Sequence, residues 1–188
     1  MAPSSTLSKG IIWLNHHDLV IDNSGRINLA TNGTDIFVAT NPGVTFPDQE
    51  LISLFVPTLP PGHNITGMRV CYAIIGDHPN TKVHRLRLTQ FDNSLTGPGA
   101  AAGLYPGYVV RLEDTSTGSA APIPPPGGFA YDDGKGFLCV DSTSVGQPCL
   151  DPSKGTISAD TGVQFGDAND HILIEAIGVR YDTTCTPN

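Results

Sequence analysis

A chain of 188 residues is long enough to bury one full hydrophobic core. Charged residues make up only 15% of it, below the roughly 25% of an average globular protein, and the formal net charge is −8. With Lys and Arg totalling 10, a broad basic groove cannot be built, which sets aside nucleic acid and anionic membranes as partners; no apolar run approaches the ~20 residues of a membrane-spanning helix.

The missing charge is replaced by 21 Gly, 16 Pro and many Ser, Thr, Asn and Asp, which build turns and make poor helix interiors. The N-terminus has no basic region followed by an apolar stretch, so no signal peptide is expected there. Short apolar segments predict strands at Gly10–Leu14, Leu19–Ile21, Arg26–Ala30, Asp35–Thr40, Glu50–Val56, Asn64–Ile75 and Lys82–Phe91. Further strands are predicted at Tyr108–Glu113, Gly136–Val140, Gly155–Ile157, Gly162–Phe165 and His171–Tyr181. Turn formers such as Asn41-Pro42-Gly43 and Pro60-Pro61-Gly62 separate them. The pattern reads as all-β: a two-sheet antiparallel β-sandwich, jelly-roll-like, with a closed β-barrel as the alternative. One domain over residues 1–188 is expected, with a Pro/Gly-rich loop at about 115–136.

Side chains alternate across a sheet. Alternation in the Lys82–Phe91 strand puts His84, Leu86 and Leu88 on one face and Val83, Arg85, Arg87, Thr89 and Phe91 on the other. In the last strand Ile172, Ile174, Ala176 and Gly178 oppose Leu173, Glu175, Ile177 and Val179, so both faces read as apolar. A strand with one solvated face should alternate cleanly. A partner subunit, an extra loop or the interior of a ligand cavity would each cover the second face; a self-associating sandwich, a homo-oligomer, is the preferred expectation.

A charge on an apolar strand face seldom stays unpaired, because desolvation is costly. Glu175 with Arg85 or Arg87 is the natural ion pair if their strands are neighbours. The same arginines could hold an anionic group through a bidentate fork. Together with His84, and with Tyr131 from the Pro/Gly-rich loop, these residues form the candidate ligand site: Arg85, Arg87, Glu175, His84 and Tyr131. Metal ligation is not expected. His16 and His17 are adjacent and would point to opposite faces of a strand, and Asp167, Asn169 and Asp170 lack the spacing of a calcium loop.

The four cysteines allow two disulfides in three pairings, with four buried thiols as the alternative. Cys139 and Cys149 flank a short turn-rich segment and Cys185 follows the last strand, which favours Cys139 with Cys149 and Cys71 with Cys185. Disulfides would mark a secreted rather than a cytosolic chain. No Gly-x-Ser-x-Gly elbow, phosphate loop or dinucleotide fingerprint is present, and no cofactor is implied. The expected function is a non-catalytic binding or assembly module that recognises carbohydrate or another extracellular polymer, through aromatic faces such as Trp13, Tyr105, Tyr108 and Tyr131. The alternatives are a small-molecule enzyme or carrier with its site in a barrel or cleft, and a structural subunit of a symmetric oligomer.

Overall fold

The computed structural model describes residues 8–21, 27–31, 35–40, 48–76, 78–92, 108–115, 138–142 and 149–187. They form strands β1 (Lys9–Trp13), β2 (Leu19–Ile21), β3 (Ile27–Thr31), β4 (Ile36–Thr40), β5 (Asp48–Phe55) and β6 (Asn64–Ile75). The remainder are β7 (Lys82–Asp92), β8 (Tyr108–Thr115), β9 (Leu138–Asp141), β10 (Gly155–Phe165) and β11 (His171–Asp182). Single 3-10 turns occur at His16–Asp18 and Pro152–Lys154. The predicted loop beyond Thr115 lies outside the described residues.

Strands β4 to β11 pair as nested hairpins: β4 with β11, β5 with β10, β6 with β9 and β7 with β8. Folding that stack over on itself yields two antiparallel sheets in jelly-roll order. One runs β3-β4-β11-β6-β9 with β1 added along β11, and the other runs β2-β5-β10-β7-β8. The sheets face each other without closing into a barrel. Val38, Met68, Val70, Ile172 and Ile174 from the first sheet meet Ile52, Leu54, Leu86, Leu88 and Ile157 from the second. Full burial of each such side chain stabilises by about 1.5–3 kcal/mol. Tyr72 is carried into this layer, and its hydroxyl has no hydrogen-bond partner there. Burial pushes its phenol well above the usual range.

Three expectations are corrected. Strand β10 is continuous from Gly155 to Phe165, where two short strands were expected. Its polar residues Ser158 and Asp160 alternate with Ile157, Ala159 and Val163, so they occupy the face turned away from the core without interrupting the ladder.

Strand β11 is not apolar on both faces. Its register with β6 passes from Ile174–Tyr72 directly to Ala176–Cys71, leaving Glu175 as the extra residue of a bulge. The bulge resets the alternation, so Ile172, Ile174, Ile177 and Val179 all join the core and Glu175 is exposed. Leu173, on the other face, is covered to 7% exposure and lies opposite Phe37 and Ala73 in the ladders. Among the described residues β11 therefore leaves no second apolar face that needs a partner subunit to cover it, and a homo-oligomer is not shown.

The disulfides join Cys71 to Cys139 and Cys149 to Cys185. The first pair stands directly opposite in the β6–β9 ladder, with Cα atoms 3.9 Å apart. The second ties the tail beside the bridge of Ile65 to Leu150, where Asn64 Nδ2 donates to the Cys185 carbonyl at 3.0 Å. Strand pairing brings Cys139 to β6 before the chain reaches Cys149, so proximity in sequence misled.

Candidate functional site

The sheet β2-β5-β10-β7-β8 turns one face to the core and the other outward. On the central strand β10, the outward positions are Thr156, Ser158, Asp160, Gly162 and Gln164, since the residues between them are in the core. The ladders set these in cross-strand rows: Phe55–Ser158–Thr89, then Ser53–Asp160–Arg87, then Leu51–Gly162–Arg85. At a strand rise of about 3.3 Å per residue, the strip from Thr156 to Gly162 is roughly 20 Å long.

At one end of the strip Phe55 is 47% exposed, and its ring lies 6.3 Å from that of Phe91, tilted by 53°. Next to this pair the strip becomes polar. Arg87 Nε donates to Asp160 Oδ2 at 2.8 Å, and Thr89 Oγ1 donates to the same oxygen at 3.2 Å. Asp160 is 2% exposed. So deeply placed a carboxylate requires a paired charge and hydrogen bonds, and it has both.

At the far end β7 bulges against the Gly162–Val163 step of β10. A Cβ at Gly162 would stand 2.9 Å from His84 Nε2 and 2.7 Å from Arg85 Cβ, so only glycine leaves room for both. The bulge corrects the expected alternation. Val83 is in the core, and the His84 ring lies over Gly162 on the outward side instead of joining Leu86 and Leu88. Burial first, then the charges of Arg85 and Lys82, push the His84 imidazole down to about 4. It is neutral at physiological pH and poorly matched to proton transfer there.

His84 and Arg85 adjoin at Gly162, on the face that also carries Arg87, whereas alternation put His84 on the opposite face. Glu175 is not on this face: it lies in β11, whose neighbours are β4, β6 and β1, so the expected ion pair to Arg85 or Arg87 is replaced by Arg87–Asp160. Tyr131 and Tyr105 fall outside the described residues. Tyr108 is opposite Phe91 in the β7–β8 ladder, while Trp13 belongs to the other sheet. Sequence reasoning missed Asp160, which fell between two predicted strands. It also missed Phe55, although the alternation Leu51-Ser53-Phe55 against Ile52-Leu54 already separates it from the core.

The His17 amide donates to Asn15 Oδ1 at 3.1 Å, a turn cap. Asp167 Oδ1 accepts from the Asn169 amide at 2.8 Å and Asp170 accepts from Thr81 Oγ1. These groups are spent on their own turns. Among the described residues no group of three or more His, Cys, Asp or Glu is placed to hold a metal. A cleft of about 430 Å³ at one end of the sandwich, between Leu59, Pro61, Asn64, Asp151 and Pro187, contains none of the predicted site residues.

No family model matches the chain, and no curated protein matches it. Among solved structures the chain is similar to a xylan-binding domain from family 22 of the carbohydrate-binding modules, at 14% identity and a TM-score of 0.44 over 92% of each chain. It is also similar to the C-terminal family 22 carbohydrate-binding module of Clostridium thermocellum Xyn10B, at 14% identity and a TM-score of 0.44 over 91% of each chain.

Proposed function

We propose that the chain is a single-domain, non-catalytic module that binds a neutral saccharide chain along the outward face of the β2-β5-β10-β7-β8 sheet. The observation that carries this reading is the exposed Phe55, paired with the half-buried Phe91, beside a fixed polar row. Apolar ring faces suit the C–H faces of a sugar ring, and the partly exposed Ser53 and Arg87 supply donors and an acceptor for its hydroxyls. The Arg87 charge is already compensated by Asp160, which favours an uncharged ligand over an anion. A strip of roughly 20 Å suits a short oligosaccharide better than a single small molecule. The neutral His84 argues against acid–base chemistry near pH 7. Two disulfides favour an oxidising compartment, and we read the module as secreted.

Calorimetry against soluble β-glucan, xylan, mannan and galactan tests the reading. One of these neutral polymers is expected to bind, and Phe55→Ala, at an exposed position, is expected to weaken binding by about tenfold or more. Binding by none of them, or an unaffected Phe55→Ala protein, refutes it.

A further inference from the structure

The opposite sheet carries a second arrangement. Across its outward face the ladders align Trp13 of β1, Gly178 of β11, Arg69 of β6 and Asp141 of β9 in one row. Trp13 is 49% exposed although it belongs to a strand. Its indole lies against Gly178: a Cβ there would meet Trp13 Cε3 at 2.7 Å and Ile11 Cγ2 at 2.8 Å. Any side chain at 178 would lift the ring off the sheet. The strands of Trp13 and Arg69 are two spacings, about 10 Å, apart, with Gly178 between them under the indole.

Beyond Gly178 the row is charged. Arg69 Nε and Nη2 donate to the two oxygens of Asp141, each at 2.7 Å. Arg180 lies across Gly67, where a Cβ would stand 2.5 Å from its Nη2, and brings its Nη1 to 3.8 Å from Asp141. Arg180 Nη2 donates to the Ser142 carbonyl at 3.1 Å. Two guanidinium groups thus converge on one carboxylate among the described residues. Lys9 nearby is already matched by Asp182 at 2.9 Å. A guanidinium has five N–H donors, so Arg69 keeps donors to spare after its bidentate bond.

An exposed aromatic plane and two guanidinium groups that share one carboxylate suit a ligand that is apolar on one face and anionic at one edge. We propose that this row is a second saccharide site, which takes a uronate: the pyranose ring stacks on Trp13 and its carboxylate bonds to Arg69 and Arg180. The site is separate from the one proposed on the opposite sheet, and the chain would then hold a neutral and an acidic glycan on its two faces. With a net charge of −8, the protein does not draw a polyuronate in from a distance, so affinity rests on these short-range contacts.

Trp13 is the single tryptophan, so its emission reports on this row directly. Titration of the whole chain with trigalacturonate is expected to give a saturable change in Trp emission, and the uncharged galactotriose none. Arg180→Met is expected to weaken the response by about tenfold or more, the worth of a charged hydrogen bond. Trp13→Ala, at an exposed position, is expected to abolish trigalacturonate binding measured by calorimetry, and Phe55→Ala to leave it unchanged. No saturable change with trigalacturonate, an equal response to galactotriose, or full binding by Trp13→Ala overturns the proposal. A neutral polymer that binds while trigalacturonate does not refutes this site alone; the reverse result refutes only the site on the other sheet.

Discussion

Replacing Arg87 by Met removes the only ion pair recorded for Asp160 among the described residues and leaves a carboxylate whose side chain is 3% exposed with the Thr89 hydroxyl as its remaining hydrogen-bond donor. Removing one partner of a buried pair costs about 3–5 kcal/mol. The Arg87 side chain is 24% exposed, so water enters beside it and the low end, about 3 kcal/mol, applies. Asp160→Asn keeps the shape and leaves the guanidinium partly solvated, at a cost of about 1–2 kcal/mol. If the double variant costs little more than Arg87→Met alone, the coupling energy is about 1–2 kcal/mol. Urea unfolding of the four proteins measures this cycle, and a parallel cycle with Glu175→Gln serves as control. Glu175 is exposed in the other sheet, so its coupling to Arg87 should be near zero. Coupling below about 0.5 kcal/mol for Arg87 with Asp160, or a larger value for Arg87 with Glu175, refutes the placement of the site.

Peptide mapping under non-reducing conditions should recover Cys71 linked to Cys139 and Cys149 linked to Cys185, and neither of the pairs suggested by sequence proximity. The sequence separations of 68 and 36 residues imply about 4 kcal/mol of stabilisation from each bond on the chain-entropy account, so each double Cys→Ala variant should unfold at clearly lower urea. His84 is neutral in the folded chain down to about pH 4 but protonates near 6.5 when unfolded, so the unfolded state binds more protons between those values. Stability should therefore fall as pH drops from 6.5 towards 4, by about 1–3 kcal/mol after allowing for solvent screening, and His84→Gln should flatten that slope in urea titrations. Asp141 and Asp182 are held below the usual carboxylate range, by Arg69 and by Thr184 with Lys9, so their contributions are lost mainly at lower pH. Gly76→Ala should cost about 2 kcal/mol or more in urea unfolding, since φ is +125° and a Cβ would overlap the Asp170 carboxyl.

The jelly roll is legible because alternation and turn residues act locally. Ile36, Val38 and Thr40 face inward and Phe37 and Ala39 outward, as period two requires. Where a bulge inserts one residue, the same rule fails from that point onward. Glu175 made β11 look two-sided, and the step at Gly162–Val163 sent His84 to the wrong face. Neither bulge has a local signature, because each arises from fitting a long strand to two neighbours. Ion pairing is equally non-local: Arg87 was read as needing a carboxylate, correctly, but Asp160 is its partner through the β7–β10 register, 73 residues away. The cysteines follow the same lesson, since Cys71 and Cys139 meet only once β9 has docked on β6.

The aromatic and polar strip over β5, β10 and β7, exposed at Phe55, is proposed as a saccharide-binding surface. Backbone amide chemical shifts of the labelled protein, followed during titration with the neutral oligosaccharide that binds best, test this residue by residue. The account predicts saturable shifts concentrated at Ser53, Phe55, Arg87, Thr89, Phe91, Ser158 and Asp160. Shifts confined to the Leu59–Asp151 cleft, or to neither sheet face, contradict it.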